Sequence, residues 1–130
     1  MLDFMFRRDV IESLAETLAI IVVDMDIGEI ISTNASLDTM FGYMRGELNG
    51  CCVDILIPLK SRVIHATDRA EYAQTPTVRL MGERRELLGC RKDGGEFPVE
   101  IALNPTVIQK CRVVIGVVLD TSKRRVSEKS

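Results

Sequence analysis

Residues 90–101 read CRKDGGEFPVEI, and this stretch decides the fold of the chain. Asp93, Gly94 and Gly95 can adopt the positive φ angles that a tight turn between two strands requires. After the turn, apolar and intervening residues alternate from Phe97 to Leu103, which is the period-2 pattern of a strand with one covered face. We therefore predict a β-hairpin with its turn at residues 93–95 and strands over about 84–92 and 96–108.

Length and composition indicate a single domain with an aliphatic core. The chain has 130 residues, of which 46% are hydrophobic and only 5% aromatic, with no Trp. Such a length is enough to bury a core. The net charge of −2 gives no electrostatic basis for a nucleic-acid partner.

The cysteines and the apolar pattern predict a location in the cytoplasm. No C-x-x-C pair occurs, and adjacent cysteines cannot form an ordinary strain-free bridge, so we expect four reduced thiols. A redox switch at Cys51-Cys52 is the alternative. Charged residues interrupt the first apolar stretch, which excludes a signal peptide, and no apolar run approaches the length of a membrane span. We therefore expect no membrane partner.

The first half of the chain predicts a helix followed by a hairpin. Residues 1–17 form an amphipathic helix, because apolar residues recur every four positions: Leu2, Phe6, Val10, Leu14 and Leu18. Residues 19–24 and 29–33 are strands joined by a turn at about 24–28. The strands 19–24 and 111–119 are the most continuously apolar runs, so we expect them to lie adjacent at the sheet centre.

The middle of the chain predicts helices. Asn34 is an N-cap, and the helix it opens ends at Gly42. Short helical pieces follow around 45–48 and 52–56. Residues 59–74 form a longer helix, whose apolar stripe we expect to face the interior: Leu59, Val63, Ala66, Ala70 and Ala73. Arg62, His65, Asp68, Arg69 and Tyr72 lie off that stripe.

Several short motifs occur in the order found in PAS sensory domains, and the chain resembles that family. They are Thr33-Asn34-Ala35 with Met40-Phe41-Gly42-Tyr43, then Arg45-Gly46-Glu47-Leu48-Asn49-Gly50, Asp54-Ile55-Leu56-Ile57-Pro58, the hairpin above, and Asp120-Thr121-Ser122-Lys123-Arg124. The resemblance is to PAS/PAC domains of the S-box type, as in bacterial sensor histidine kinases and diguanylate cyclases. It covers residues 18–125, which leaves 126–130 as a frayed tail.

The resemblance implies an α+β fold with a five-stranded antiparallel sheet and helices on one face, preceded by the N-terminal amphipathic helix. It also implies a sensory role in signal transduction, such as a two-component system. The chain carries no P-loop, G-x-S-x-G or H-E-x-x-H motif and no Cys/His cluster of metal spacing. We therefore predict that it is not an enzyme, and that it holds no metal unless His65 ligates haem.

The candidate ligand-binding residues are Met40, Ile55, His65, Arg85 and Leu87. Met40, Ile55 and Leu87 would line a pocket between the sheet and the long helix, with ordinary core packing as the alternative. His65 and Arg85 fall where the resemblance to haem-binding PAS domains of oxygen-sensing kinases implies an iron ligand and a contact to a haem propionate. Against haem, His65 lies roughly 110° from the apolar stripe of its helix, so we expect it at the surface or half-buried.

Flavin is set aside, because Val53 stands where the resemblance to flavin-binding PAS domains requires a Cys. No cofactor is expected by default, and haem is the alternative. We predict a module that binds a small ligand and relays its presence through a homodimer formed by the N-terminal helix, with a signalling output domain or kinase as partner. The alternative is a ligand-free dimerisation or interaction module.

Overall fold

The computed structural model describes residues 17–81 and 87–122. The strands are β1 (Ala19–Asp24), β2 (Ile30–Thr33), β3 (Arg79–Met81), β4 (Leu87–Cys90), β5 (Glu96–Ile108) and β6 (Cys111–Asp120). The helices are α1 (Ala35–Phe41) and α2 (Arg62–Gln74), with short 3₁₀ helices at Val53–Leu56 and Leu59–Ser61. The predicted N-terminal helix, apart from Thr17, and the predicted tail 126–130 lie outside the described residues.

The strands form one antiparallel sheet in the order β2-β1-β6-β5-β3, with β4 also paired to β5. The predicted adjacency of the first and last strands is confirmed. β1 pairs with β6 over its whole length, from Ala19 opposite Val118 to Asp24 opposite Val113. β1 and β6 each have a paired strand on both sides, which is the central position predicted from their uninterrupted apolar runs.

One edge of β5 carries two short strands where the sequence predicted one. Arg79 lies opposite Leu103, and further along β5 Leu87 lies opposite Val99. Within the strand predicted over 84–92 the structure describes β4, Leu87–Cys90, and residues 84–86 lie outside the described residues, while β3 lies outside the predicted range. The predicted five-stranded sheet consists of six strands in five positions.

The hairpin between β4 and β5 is confirmed. The next turn, between β5 and β6, has left-handed residues that are not glycine. Gly94 has a φ of 90°, and the Arg91 N–H donates to the Gly95 carbonyl at 2.8 Å. Between β5 and β6, Gln109 and Lys110 have φ angles of 49° and 66°. Left-handed residues other than glycine cost about 1–2 kcal/mol each. The long β5–β6 ladder on either side of them holds this turn in place.

The predicted cap of α1 is confirmed. The Asn34 Oδ1 accepts from the Leu37 N–H at 3.1 Å and from the Ile20 N–H at 2.9 Å. Its Nδ2 donates to the Leu18 carbonyl at 2.6 Å. Gly42 ends the helix with a φ of 81°. One amide therefore caps α1 and ties it to the start of β1.

The core lies on one face of the sheet, beneath α1 and the 3₁₀ helix Val53–Leu56. The Phe41 and Phe97 rings meet edge to face with centroids 5.2 Å apart. Buried apolar residues from the sheet and the helices pack around this pair: Ala19, Ile21, Val23, Ile30, Leu37, Leu48, Leu56, Val99 and Val118.

The predicted orientation of the long helix is wrong. Leu59 and Val63, the first members of its apolar stripe, are 76% and 80% exposed, whereas Tyr72 is only 9% exposed. His65 and Arg69 are turned inward with Tyr72. The physical reason is that these polar side chains find hydrogen-bond partners on the inner side of the helix, and a buried polar group that is hydrogen-bonded costs little.

Candidate ligand-binding site

A cavity of about 170 Å³ lies between the inner face of the sheet and helix α2. The central strands form its floor, with the side chains of Ile21, Val23, Val99, Ile101, Val114 and Val118. Val53, Leu56 and Ile57 close another side from the 3₁₀ helix and the residue after it. The walls are therefore mostly apolar.

A polar cluster at one edge of the cavity is centred on Asp54. Its carboxylate Oδ1 lies 2.5 Å from His65 Nδ1, and its Oδ2 accepts from Arg69 Nη2 at 3.1 Å. Burial opposes ionisation of Asp54, but the hydrogen bonds from Arg69 and His65 outweigh burial and lower the pKa of this carboxyl. An ionised Asp54 accepts, so His65 Nδ1 carries the proton. We call Asp54, His65 and Arg69 the Asp54 cluster.

Arg69 reaches Asp54 by passing over the turn between β1 and β2. A Cβ atom at Gly28 would lie 2.1 Å from Arg69 Nη1, and Gly28 has a φ of 72°. The Gly28 carbonyl also accepts from the Val53 N–H at 2.9 Å. Only glycine suits this position, because it provides both the left-handed backbone and the space for the guanidinium.

The other end of α2 is held by three further contacts of polar side chains. The Tyr72 hydroxyl donates to the Thr77 carbonyl at 2.5 Å, and the Arg79 guanidinium lies 5.4 Å from the centre of the Tyr72 ring. Arg112, on β6, donates from Nη2 to the Ala73 carbonyl at 2.6 Å. Helix α2 is thus attached to the rest of the domain at both ends through polar side chains.

The candidate residues from the sequence fall in different places. The His65 ring lines the cavity and is half-buried, as expected, but the 110° offset was not a valid reason for it, because Leu59 and Val63 of the reference stripe face solvent. Met40, Ile55 and Leu87 pack against the core cluster and are not among the described residues on the cavity wall. Arg85 lies outside the described residues. A ligand-binding role for these five stays a prediction.

Sequence reasoning did not select six polar residues on or beside the cavity: Asp24, Asp54, Asp68, Arg69, Tyr72 and Arg79. One signal was available. His65, Arg69 and Tyr72 are spaced i, i+4 and i+7, which places them on one helical face as firmly as the apolar stripe. Nothing in the sequence signalled that Asp54 would lie opposite that face.

In this arrangement the cavity is small for haem or flavin. Sites for drug-sized ligands span roughly 300–1,000 Å³. Haem and flavin are at least of that size, and the cavity holds about 170 Å³. Val53 lines the wall, while Cys52 beside it is exposed. Within residues 17–81 and 87–122, no three His, Cys, Asp or Glu side chains group as metal ligands would.

This architecture, an antiparallel sheet with a cavity between one face and its flanking helices, defines an α+β domain with a candidate ligand site. A family model for the PAS domain matches residues 17–123. The chain therefore belongs to the PAS domain family, and it is a PAS sensory domain. The crystal structure of a PAS domain from Colwellia psychrerythraea has a TM-score of 0.72 and 20% identity, and the match covers 93% of this chain and 99% of that one.

Two relatives in sequence are signalling proteins. One is named "Probable serine/threonine-protein kinase" from Dictyostelium discoideum, 31% identical over 96 residues. The other is "Sensor protein FixL" from Bradyrhizobium diazoefficiens, 31% identical over 100 residues. The matches cover 74% and 75% of this chain but only 6% and 19% of those proteins. PAS domains act as sensory modules rather than as catalysts.

Among the helices in the described part of the chain, none has both the length and the apolar character needed to cross a membrane.

Proposed function

We propose that this domain binds a small ligand in the cavity beside α2 and transmits occupancy to the ends of the chain. The observation that supports it is that one cavity is shared by α2 and by β6, the strand that ends at Asp120. A ligand there contacts both the helix and the exit strand. Signalling requires such a link, because a ligand shifts an equilibrium only through contacts that differ between two states.

Two polar contacts support a route from the cavity to the exit. Arg112 joins β6 to the C-terminal end of α2, as described above. At the other end of β6, Asp120 accepts from the Ser122 N–H at 2.9 Å and pairs with Arg91 at 3.4 Å. A shift of α2 relative to the sheet would therefore strain β6 at one end and change the direction of the chain at the other.

Xenon tests cavity and relay together, because it enters apolar cavities without specific polar contacts. We expect saturable amide shifts at Val53 and Val114 in ¹H–¹⁵N spectra under xenon pressure, and smaller shifts at residues 120–122. Shifts confined to the wall would contradict the relay. An unchanged spectrum would contradict the cavity as a ligand site.

We propose that the partners are an output domain or kinase and a second copy of the chain, in the cytoplasm. The two kinase and sensor relatives support an output domain or kinase as partner, and the four free cysteines support a reducing compartment.

The homodimer would form through the N-terminal helix. Light scattering tests it: Val10→Glu, on the apolar stripe, should halve the mass, while Glu12→Gln should not. A wild type that is monomeric at high micromolar concentration would overturn the dimer.

The second candidate is a ligand-free interaction module. It is favoured by three exposed apolar residues near the start of α2: Leu59 in the preceding 3₁₀ helix, and Val63 and Ile64 in the first turn of α2. Native mass spectrometry distinguishes it, since such a module would carry no bound mass, and it would give no xenon-dependent shift at residues 120–122. The haem alternative predicts a Soret band that disappears in His65→Ala, and we expect colourless protein from haem-replete cells.

A further inference from the structure

We infer that the cavity selects a small, uncharged, apolar molecule of about the size of benzene, carrying at most one hydroxyl group. This inference rests on the proposed function, because it names the ligand class of the same cavity. Three observations carry it: the volume of the cavity, the pairing of the charged groups on its wall, and the free edge of the His65 ring.

The volume sets the size of the ligand. The cavity holds about 170 Å³. An engineered cavity of about 150 Å³ with aliphatic and aromatic walls stays dry and binds benzene or xenon. The cavity described here has nearly the same volume and similar walls. A ligand with one six-membered ring, and one or two substituents, therefore fills it.

The wall disfavours a charged ligand, because its inward-facing charges already have partners, while Asp68, which also lines the cavity, is an exposed residue. Arg69 and His65 share the carboxylate of Asp54. Asp24 accepts from the N–H groups of Asp26 and Ile27 at 2.9 and 3.1 Å. Burying a further ionised group without a counter-charge carries a large desolvation cost.

Arg79 is the cation that an anionic ligand would use instead. It lines the cavity, it stacks on the Tyr72 ring, and it is an exposed residue at the rim. An ion pair at such an exposed position contributes little to affinity. If a ligand placed its carboxylate at Arg79, only a shorter apolar part of that ligand would be left to fill the aliphatic floor of the cavity. Comparing the affinity of an anionic probe with that of a neutral probe therefore tests whether the cavity excludes an anionic ligand.

His65 adds one polar preference. Its Nδ1 is committed to Asp54, and in the described part of the chain no side chain or carbonyl bonds its Nε2, on the opposite edge of the ring. A neutral imidazole that donates from Nδ1 accepts at Nε2. A ligand hydroxyl can donate there, which should favour phenol over toluene by about fivefold, the ordinary net gain from one hydrogen bond.

Three probes of one size test the class: toluene, phenol and benzoate, titrated at pH 8 and followed by ¹H–¹⁵N spectra. We expect toluene and phenol to bind saturably, phenol more tightly, and benzoate to bind at least tenfold more weakly than either. Val53→Phe fills the cavity from its wall and should weaken both neutral probes at least tenfold. Val63→Phe makes the same change on the exposed face of α2 and should leave both affinities unchanged. In His65→Leu, phenol and toluene should bind equally.

Val53→Leu is a milder variant that controls for misfolding of Val53→Phe. It adds one methylene and should give affinities between those of wild type and Val53→Phe, with spectra that stay dispersed. Benzoate binding as tightly as phenol, and lost in Val53→Phe, would overturn the neutral class while leaving the cavity as a ligand site. Toluene binding that moves no amide at 120–122 would leave the class intact and contradict the proposed relay. If toluene and phenol bind to Val53→Phe and Val53→Leu with wild-type affinity, the inference is wrong.

Discussion

The β4–β5 hairpin and helix α2 have equally clear sequence periods. Only in the hairpin do the apolar residues of the period face the core as predicted. Phe97 and Val99, on the covered side of the strand pattern, are buried. On α2 the apolar stripe faces water and the polar face lines the cavity. A period shows which residues share a face of an element. It does not show where that face points.

Packing on both sides decides the orientation of the hairpin. β5 pairs with β4 on one edge and β6 on the other, so its register is set along its whole length. A slip of one residue would turn every side chain to the other face. Phe97 then lies between the Phe41 ring and the Arg91 guanidinium, which is 3.9 Å from the centre of the Phe97 ring.

Helix α2 has no such ladder, and polar partners decide its orientation. His65 and Arg69 meet Asp54, Tyr72 meets Thr77, and Arg112 meets the last turn. With a cavity rather than a packed core beneath the helix, inward apolar residues would gain few contacts. Polar side chains with partners at the cavity edge would lose several hydrogen bonds if the helix turned over.

The largest effect expected from this comparison is the contrast between two large apolar side chains. Phe97→Ala should lower the free energy of unfolding by about 3–5 kcal/mol, because a buried aromatic side chain leaves a cavity. Leu59→Ala should lower it by less than about 0.5 kcal/mol, as surface changes do. Urea unfolding of both variants measures the difference. Similar losses in the two would mean that the stripe on α2 is buried after all.

The second effect concerns the Asp54 cluster. Asp54→Ala should lower stability at pH 7 by about 1–3 kcal/mol, because Arg69 and His65 lose their shared acceptor. The folded pKa of Asp54 is below its ordinary value of 3.8, so the unfolded chain binds the proton more readily than the folded one. This contribution is complete above about pH 4 and is lost as pH falls through the folded pKa.

Unfolding curves between pH 2 and pH 7 check the sign. The wild type should lose more stability than Asp54→Ala on the acid side, so the gap between the two should narrow. Asp68→Ala, an exposed carboxylate on α2, is the matched control and should run parallel to the wild type. A gap of constant size down to pH 2 would contradict the assigned role of the carboxylate.

The sequence was sufficient wherever a residue's role depends on its neighbours in the chain. Asn34 and Gly42 set the ends of α1 through local hydrogen bonds and a left-handed φ, and both were predicted. The position of the turn at Gln109-Lys110 followed only from the gap between the strands predicted over 96–108 and 111–119, since nothing in those residue types favours positive φ. The Asp54 cluster was not predicted, because Asp54 and His65 meet only after the chain has folded.

The third effect tests the other attachment of α2. Arg112→Met keeps much of the side-chain length and removes the donor to the Ala73 carbonyl. The half-exposed guanidinium also pairs with Asp26 at 3.0 Å. We expect a loss of about 1 kcal/mol, the ordinary net worth of one hydrogen bond discounted for solvent. Amide exchange should increase in the last turn of α2 and remain unchanged in α1. Equal increases in both helices would point to global destabilisation instead.

The smallest effect is also the sharpest test of the comparison. Val63→Ser should change stability by no more than about 0.5 kcal/mol, because the wild-type side chain is 80% exposed. If the stripe faced the interior, as its period alone suggests, the same change would remove a buried methyl pair and cost several times more. Val99→Ser, a buried site on β5, provides the matched positive control. A loss at Val63 that grows with protein concentration would identify a contact between copies of the chain, since a side chain exposed in one copy is then covered in the assembly.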